Sequence, residues 1–212
     1  MIMHDEQINA GSYGHIGRRI HVIGNSCSGK STLGAALALV LDVPLVELDA
    51  LNWRHGWMGL NATDPVEFER LIAKETGGDE WIVAGSYARF SQRVFWPRLQ
   101  TIIWLDLPLY QLVWRMLRRS WTRWRSRELL WGNNYEKFWP QLKIWNKEDS
   151  LLSWMVSQHW HKRRRERTYR SMQQSQHIRL LRLKSSAEVE AFTRALTYAL
   201  QARGPLKSKP PQ

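Results

Sequence analysis

The residues Gly24-Asn25-Ser26-Cys27-Ser28-Gly29-Lys30-Ser31 combine two glycines, a lysine and a hydroxyl at the spacing G-x-x-x-x-G-K-[ST], the chemistry of a phosphate-binding loop (Walker A). Glycine at both ends lets the backbone curl so that successive N–H groups point inward, and a helix beginning at the lysine adds the positive end of its dipole. Asn25, Ser26, Cys27 and Ser28 then supply the backbone donors between Gly24 and Gly29. Lys30 would reach the β- and γ-phosphates of a triphosphate, Ser31 would place its hydroxyl on Mg²⁺, and Thr32 would donate to the α-phosphate. ATP with Mg²⁺ is therefore the expected cofactor. No metal site made of protein ligands alone is expected, because His55, His159 and His161 lack partners at ligand spacing.

Such a loop works only between a strand and a helix, and the flanking patterns predict both: Ile20–Ile23 is apolar and β-branched, and Ser31–Leu41 is rich in Ala and Leu. A second strand, Leu45-Val46-Glu47-Leu48, ends at Asp49, on the sheet edge where open α/β folds place their ligands. Ala50 to Trp57 is irregular and carries Trp53, Arg54 and Trp57, groups suited to holding an acceptor. Asp64 caps a helix with Pro65 in its first turn and Glu67 placed to complete a capping box; Phe68, Leu71 and Ile72 form its buried face and Gly77-Gly78 end it. A third strand, Trp81–Ala84, leads into Gly85-Ser86-Tyr87-Ala88-Arg89, where Tyr87 and Arg89 border the same acceptor side. A short helix over Ser91–Arg98 and a fourth strand, Thr101–Leu105 before Asp106, follow. Their apolar runs are continuous rather than alternating, which predicts a parallel sheet covered on both faces.

Pro108 opens a helix to about Ser120 with Arg115, Arg118 and Arg119 on its polar side. Trp121 to Pro140, with Arg123, Arg125 and Arg127, lacks clean periodicity and reads as a mobile, arginine-rich lid over about 120–140. Gln141 to about Gln174 reads as helix, His177–Leu183 as a fifth strand, and Ser186 to about Arg203 as a last amphipathic helix. Moving a phosphoryl group requires neutralised charge and excluded water, and a closing lid supplies arginines for both. Arg119 or Arg123 is expected at the transition state, and Arg163, Arg164 or Arg167 on the nucleotide; the plainer alternative for each is a solvated basic face.

A chain of 212 residues holds one domain, placed at 19–203, with disordered ends at 1–18 and 204–212. Lys+Arg number 31 against Asp+Glu 19, a net charge of +12 that favours polyanionic partners: nucleotides, nucleic acid or an acidic membrane surface. The single cysteine excludes a disulfide framework. No apolar run approaches the roughly 18 residues of a spanning helix, and the N-terminal stretch lacks a signal-peptide core, so a cytoplasmic monomer with no membrane partner is expected. The 13 tryptophans read as packing groups before base-stacking ones.

The order of these parts resembles the nucleoside-monophosphate-kinase branch of the P-loop fold. Leu48-Asp49-Ala50-Leu51-Asn52-Trp53-Arg54-His55-Gly56-Trp57, Trp81-Ile82-Val83-Ala84-Gly85-Ser86-Tyr87 and Ile103-Trp104-Leu105-Asp106-Leu107-Pro108 are similar to the bacterial adenylate-kinase-like proteins labelled DNA topology modulation proteins, over about Arg19 to Arg203. The resemblance implies a three-layer α/β/α fold, a five-stranded parallel sheet ordered 2-3-1-4-5, ATP binding and a kinase-type closure. It also implies an acidic residue at the end of the third strand to hold the metal's water shell, where this chain has Ala84. Either Asp49 or Asp106 then substitutes or turnover is weak, and Asp49 is the expected substitute, because related small-molecule kinases carry a carboxylate at the end of the second strand.

Two function classes stay open. One is an ATP-dependent kinase acting on a small acceptor such as a nucleoside monophosphate. The other is a nucleotide-binding protein with weak or no transfer that acts on nucleic acid through its basic, Trp-rich surface.

Overall fold

Five apolar runs become the strands β1 (Arg19–Gly24), β2 (Leu45–Glu47), β3 (Trp81–Ala84), β4 (Thr101–Leu105) and β5 (Arg179–Leu183) of a computed structural model that describes residues 16–127, 129–131, 134–135, 151–176 and 178–201. All neighbours pair in parallel, in the spatial order β2-β3-β1-β4-β5. This is the α/β architecture expected, with the order the family likeness implies.

The continuous apolar runs follow from burial on both sides, since side chains alternate across the sheet. Trp81, Val83, Ile102 and Trp104 enter one core with Phe68, Ile72, Phe90, Phe95, Tyr169 and Met172. Ile20, Val22, Ile82, Ile103 and Leu105 enter the other with Leu33, Leu37, Phe192 and Leu196. The helices supplying these layers are α1 (Lys30–Leu41), α2 (Leu48–Asn52), α3 (Leu60–Thr63), α4 (Pro65–Glu75), α5 (Ala88–Val94), α6 (Leu109–Ser126), α7 (Leu151–Trp160), α8 (Lys162–Gln176) and α9 (Ser186–Gln201). α4, α5 and α8 cover the first core, α1 and α9 the second.

Several boundaries differ from those read in the sequence. Ile16 is buried in the second core and Thr101 Oγ1 donates to its carbonyl, so residues 16–18 of the expected disordered extension belong to the fold; residues 1–15, 136–150 and 202–212 lie outside the described ones. β2 ends at Glu47, because Leu48 turns inward, fully buried, to start α2. Asp64 caps α4 as expected, accepting from the Glu67 N–H at 3.0 Å, but the Glu67 carboxylate pairs with Arg70 at 2.6 Å instead of closing the box. α5 stops at Val94 and a tight 3₁₀ turn, Trp96–Arg98, follows, since Pro97 lacks an N–H and restricts the residue before it.

α6 is the main correction. It continues to Ser126, so Trp121–Ser126 is helix and not the start of a mobile loop. Leu112, Met116 and Ser120 recur every four residues on its buried side, a spacing that keeps one face on the core, and Arg127 ends it at φ 49°. The single helix expected over 141–174 is two, separated at His161, with 141–150 outside the described residues. Trp81, Trp96 and Trp104 are core residues as the packing reading expects, whereas Trp114, Trp121, Trp124, Trp154 and Trp160 are exposed.

Candidate active site

β1 delivers the chain to Gly24, and α1 takes it up at Lys30. A Cβ on Gly24 would stand 2.8 Å from the Leu105 carbonyl oxygen and 2.6 Å from Ser28 Oγ, so only glycine fits against the end of β4. Cys27 and Gly29 take left-handed backbone, at φ 61° and 95°, and complete the curl. The loop is pinned from outside: Ser86 Oγ donates to the Gly24 carbonyl at 2.8 Å, and Asn25 Nδ2 donates to the Met155 carbonyl at 2.9 Å. Ser26 N–H donates to Asn25 Oδ1 at 2.8 Å, and Lys30 Nζ donates to the Asn25 carbonyl at 2.9 Å. The N-terminus of α1 has no side-chain cap and no acidic residue in its first turn, and Ser31 and Thr32 there are exposed. Its first amide donors are thus available to an anion.

Cations converge on this loop. Burial holds the Lys30 amine below its ordinary range; the charges of Asp49 and Cys27 oppose that shift, while those of Arg119 and Arg165 add to it. Ser28 Oγ, Arg119 Nε and Arg165 Nε are buried without hydrogen-bond partners. Ser28 Oγ packs against Gly24, and Nη1 of Arg165 donates to Gln158 Oε1 at 3.1 Å. Buried polar groups are normally satisfied, so the open Nε donors of Arg119 and Arg165, whose charges both act on the Lys30 amine, fit the chemistry of a bound polyphosphate. Arg115 joins from α6, donating to the Ser28 carbonyl at 3.4 Å and to Ser186 Oγ at 2.9 Å. Arg115, Arg119 and Arg123, four apart on one flank of α6, line a cleft of about 410 Å³ with Trp114, Arg118 and Thr122.

The carboxylates divide by environment. Asp49, in the first turn of α2, accepts from the Tyr87 hydroxyl at 2.7 Å, and burial followed by the Asp49 charge pushes the Tyr87 phenol far up. Asp106 is taken up by Arg182 at 2.7 Å, which also holds Glu166 at 2.8 Å and stacks on Trp104 at 4.5 Å. Ala84 pairs in register with Glu47 of β2. Register partners on adjacent strands share a face, and Ala84 faces α1, 3.3 Å from where a Cβ on Gly34 would stand. Glu47 therefore presents a carboxylate on the α1 side of the sheet, beside the position where the resemblance implies an acid.

The segment expected to hold an acceptor is a small hairpin. Trp53–Arg54 pairs antiparallel with Met58–Gly59 around a turn in which Gly56 and Trp57 both have positive φ, 72° and 59°. Trp57 meets Trp53 edge to face at 5.6 Å. Asn134 fastens the turn, accepting from the Trp57 N–H and donating to the Arg54 carbonyl, both at 2.9 Å, and the Trp57 indole donates to the Tyr135 carbonyl at 3.1 Å. Arg89 is exposed at the start of α5.

The structure thus brings Gly24–Thr32, Lys30, Asp49, Tyr87 and Arg119 to one edge of the sheet, with Trp53, Arg54 and Trp57 on the hairpin beyond α2. On α8, Arg164 is exposed, Arg167 lines a separate groove of about 520 Å³ with Gln92, Trp96 and Pro97, and the Arg163 side chain lies outside the described residues. Arg165, Glu47 and Asn134 were missed in the sequence reading. A run of adjacent arginines does not show which one faces inward, and Glu47 depends on strand register.

Solved structures share this architecture. Shikimate kinase from Acinetobacter baumannii in complex with shikimate matches at a TM-score of 0.51 and 15% identity, over 93% of this chain and 100% of that one. A gluconokinase from Sinorhizobium meliloti matches at a TM-score of 0.50 and 16% identity, over 89% of this chain and 94% of that one. The chain has the fold of the P-loop kinases. No protein-family model and no curated protein matches its sequence. Among the described residues no cluster of His, Cys, Asp and Glu forms a metal site by itself, and no helix is long and apolar enough to cross a membrane.

Proposed function

We propose that this protein is an ATP-dependent phosphotransferase that moves the γ-phosphate to a hydroxyl of a small acceptor held beside Asp49. The observation that carries the proposal is the convergence of Lys30, Arg119 and Arg165, two of them with buried unpaired Nε donors, on a glycine loop that opens a helix. ATP with Mg²⁺ supplies the transferable phosphoryl group when bound. The loop amides and Lys30 would bind its phosphates, the Ser31 hydroxyl and Glu47 would hold the metal, and Arg119 with Arg123 would neutralise the charge of the transferred group. Of the α8 arginines, Arg165 takes the clamping role. Asp49, oriented by the Tyr87 hydroxyl, receives the proton of the attacking hydroxyl.

The acceptor is an anionic hydroxyl compound, a hydroxylated acid or a nucleoside monophosphate, gripped by Arg54 and Arg89 and walled by Trp53, Trp57 and Tyr87. The names of the two kinase neighbours, and the motif likeness to adenylate-kinase-like proteins, support this class. The competing nucleic-acid reading draws on Ala84 as a sign of lost turnover, and Glu47 beside it answers that ground. Asp49→Asn tests the assignment: transfer should fall by a factor of about 10² to 10⁴ with ATP affinity retained, whereas a fully active variant would move the base elsewhere.

A further inference from the structure

α6 presents three faces. Leu112, Met116 and Ser120 are buried, and Arg115, Arg119 and Arg123 line the cleft. At about 100° per residue, the third face carries Tyr110, Trp114, Leu117, Trp121 and Trp124, at i, i+4, i+7, i+11 and i+14. These residues are 72, 60, 36, 46 and 42% exposed. Trp121 packs against Trp124 at 5.3 Å, and Arg118 lies over the Trp114 ring at 5.4 Å. Arg118 and Arg125 border the stripe on its cleft side, both exposed; Trp114 and Arg118 also line the rim of the cleft, and the segment from Leu109 to Ser126 holds arginines but no acidic residue.

We infer that this face of α6 lies on an anionic lipid surface. Indole and phenol rings settle at the boundary between headgroups and acyl chains, Leu117 enters beneath them, and Arg118 and Arg125 meet lipid phosphates. The helix is too charged to span, so the contact is peripheral. Charge selects this occupant over a second copy of the chain, which would set one acid-free arginine helix against another. Shape selects it over nucleic acid. Base stacking uses rings splayed along a groove that tracks the backbone, whereas these rings sit on a convex helix, packed on each other or beneath arginine. The net charge of +12 draws the whole molecule toward such a surface, and the stripe revises the expectation that no membrane is a partner. The inference uses none of the residues assigned to phosphoryl transfer, so each stands or falls alone.

Co-sedimentation of the full chain with phosphatidylcholine vesicles, and with vesicles of equal phosphatidylcholine and phosphatidylglycerol, tests it. Binding should appear only with the anionic vesicles and weaken as salt rises. The double variant Trp121→Ser/Trp124→Ser, and separately Arg125→Glu, should each weaken vesicle binding by about tenfold while ATP affinity by calorimetry stays unchanged. Failure of the wild type to bind anionic vesicles would overturn the inference, as would undiminished binding by both variants. A single-stranded oligonucleotide that binds in place of the vesicles, and is lost in the same variants, would assign the face to nucleic acid and overturn it equally.

Discussion

Lys30 is the single side chain on which triphosphate binding should turn most sharply. Hydrogen bonds to charged groups contribute about 1.5–3 kcal/mol, so Lys30→Ala should weaken ATP binding by roughly tenfold to a hundredfold, measured by calorimetry. An unchanged affinity in a folded variant would remove the loop from the account. Glu47 is tested through the metal. Glu47→Gln keeps the size of the side chain and removes its charge, so the Mg²⁺ concentration giving half-maximal transfer should rise by about tenfold with ATP affinity little changed; an unaltered Mg²⁺ requirement would return the role to Asp49. These roles were unequally visible in the sequence. The loop is local, and its eight residues announce both its geometry and its partner. Glu47 becomes meaningful only when β2 lies beside β3 in the register that sets it against Ala84, and Arg165 only when α8 is turned so that the charge of this arginine acts on the Lys30 amine.

At the scale of elements, the turn after β3 is a tightly constrained joint of the site. Gly85 has φ 148°, and a Cβ there would stand 2.7 Å from the Leu48 Cβ at the start of α2. The next residue, Ser86, holds the Gly24 carbonyl. Gly85→Ala should therefore cost about 1–3 kcal/mol in denaturant unfolding and weaken ATP binding as well, because it shifts the residue that fixes the loop; a variant with wild-type stability would show that the joint relaxes freely. Helix α4 was legible from its cap and proline, since both act within one turn of chain. The length of α6 was not, because its arginines and tryptophans were read together. Separated by face, the arginines at 115, 119 and 123 and the aromatics at 110, 114, 121 and 124 are each helical. The fastening of the Trp57 turn by Asn134 joins residues 77 apart in the chain, and no local pattern reports such a contact.

At the scale of the molecule, the sheet encloses a buried polar link. His21 of β1 is 1% exposed; the Trp96 indole donates to its Nδ1 at 3.0 Å, so Nε2 carries the proton and donates to the Gly85 carbonyl at 2.9 Å. Burial pushes the imidazole down to about 3, against the opposing effect of the Gly85 bond. The unfolded chain takes up this proton near pH 6.5 and the folded one does not. The stabilisation is therefore complete above pH 6.5 and is lost as the pH falls toward 3, by at most about 5 kcal/mol. Denaturation midpoints should fall steadily from pH 7 to pH 4, and a His21→Gln variant should lose much of that slope; a flat profile in the wild type would contradict the buried neutral histidine. The parallel sheet and its two covered faces were readable from continuous apolar strands, whereas the proposed acceptor pocket was not, because α2, the Trp53–Gly59 hairpin and Asn134 meet only in the folded chain.

The central claim, that this site transfers phosphate, is tested most directly by incubating the protein with ATP and Mg²⁺ against a panel of nucleoside monophosphates and small hydroxylated acids and following the product by mass. The account predicts an acceptor heavier by one phosphoryl group, formed with matching ADP and absent with Asp49→Asn. Tight ATP binding with no phosphorylated product from any acceptor would contradict it.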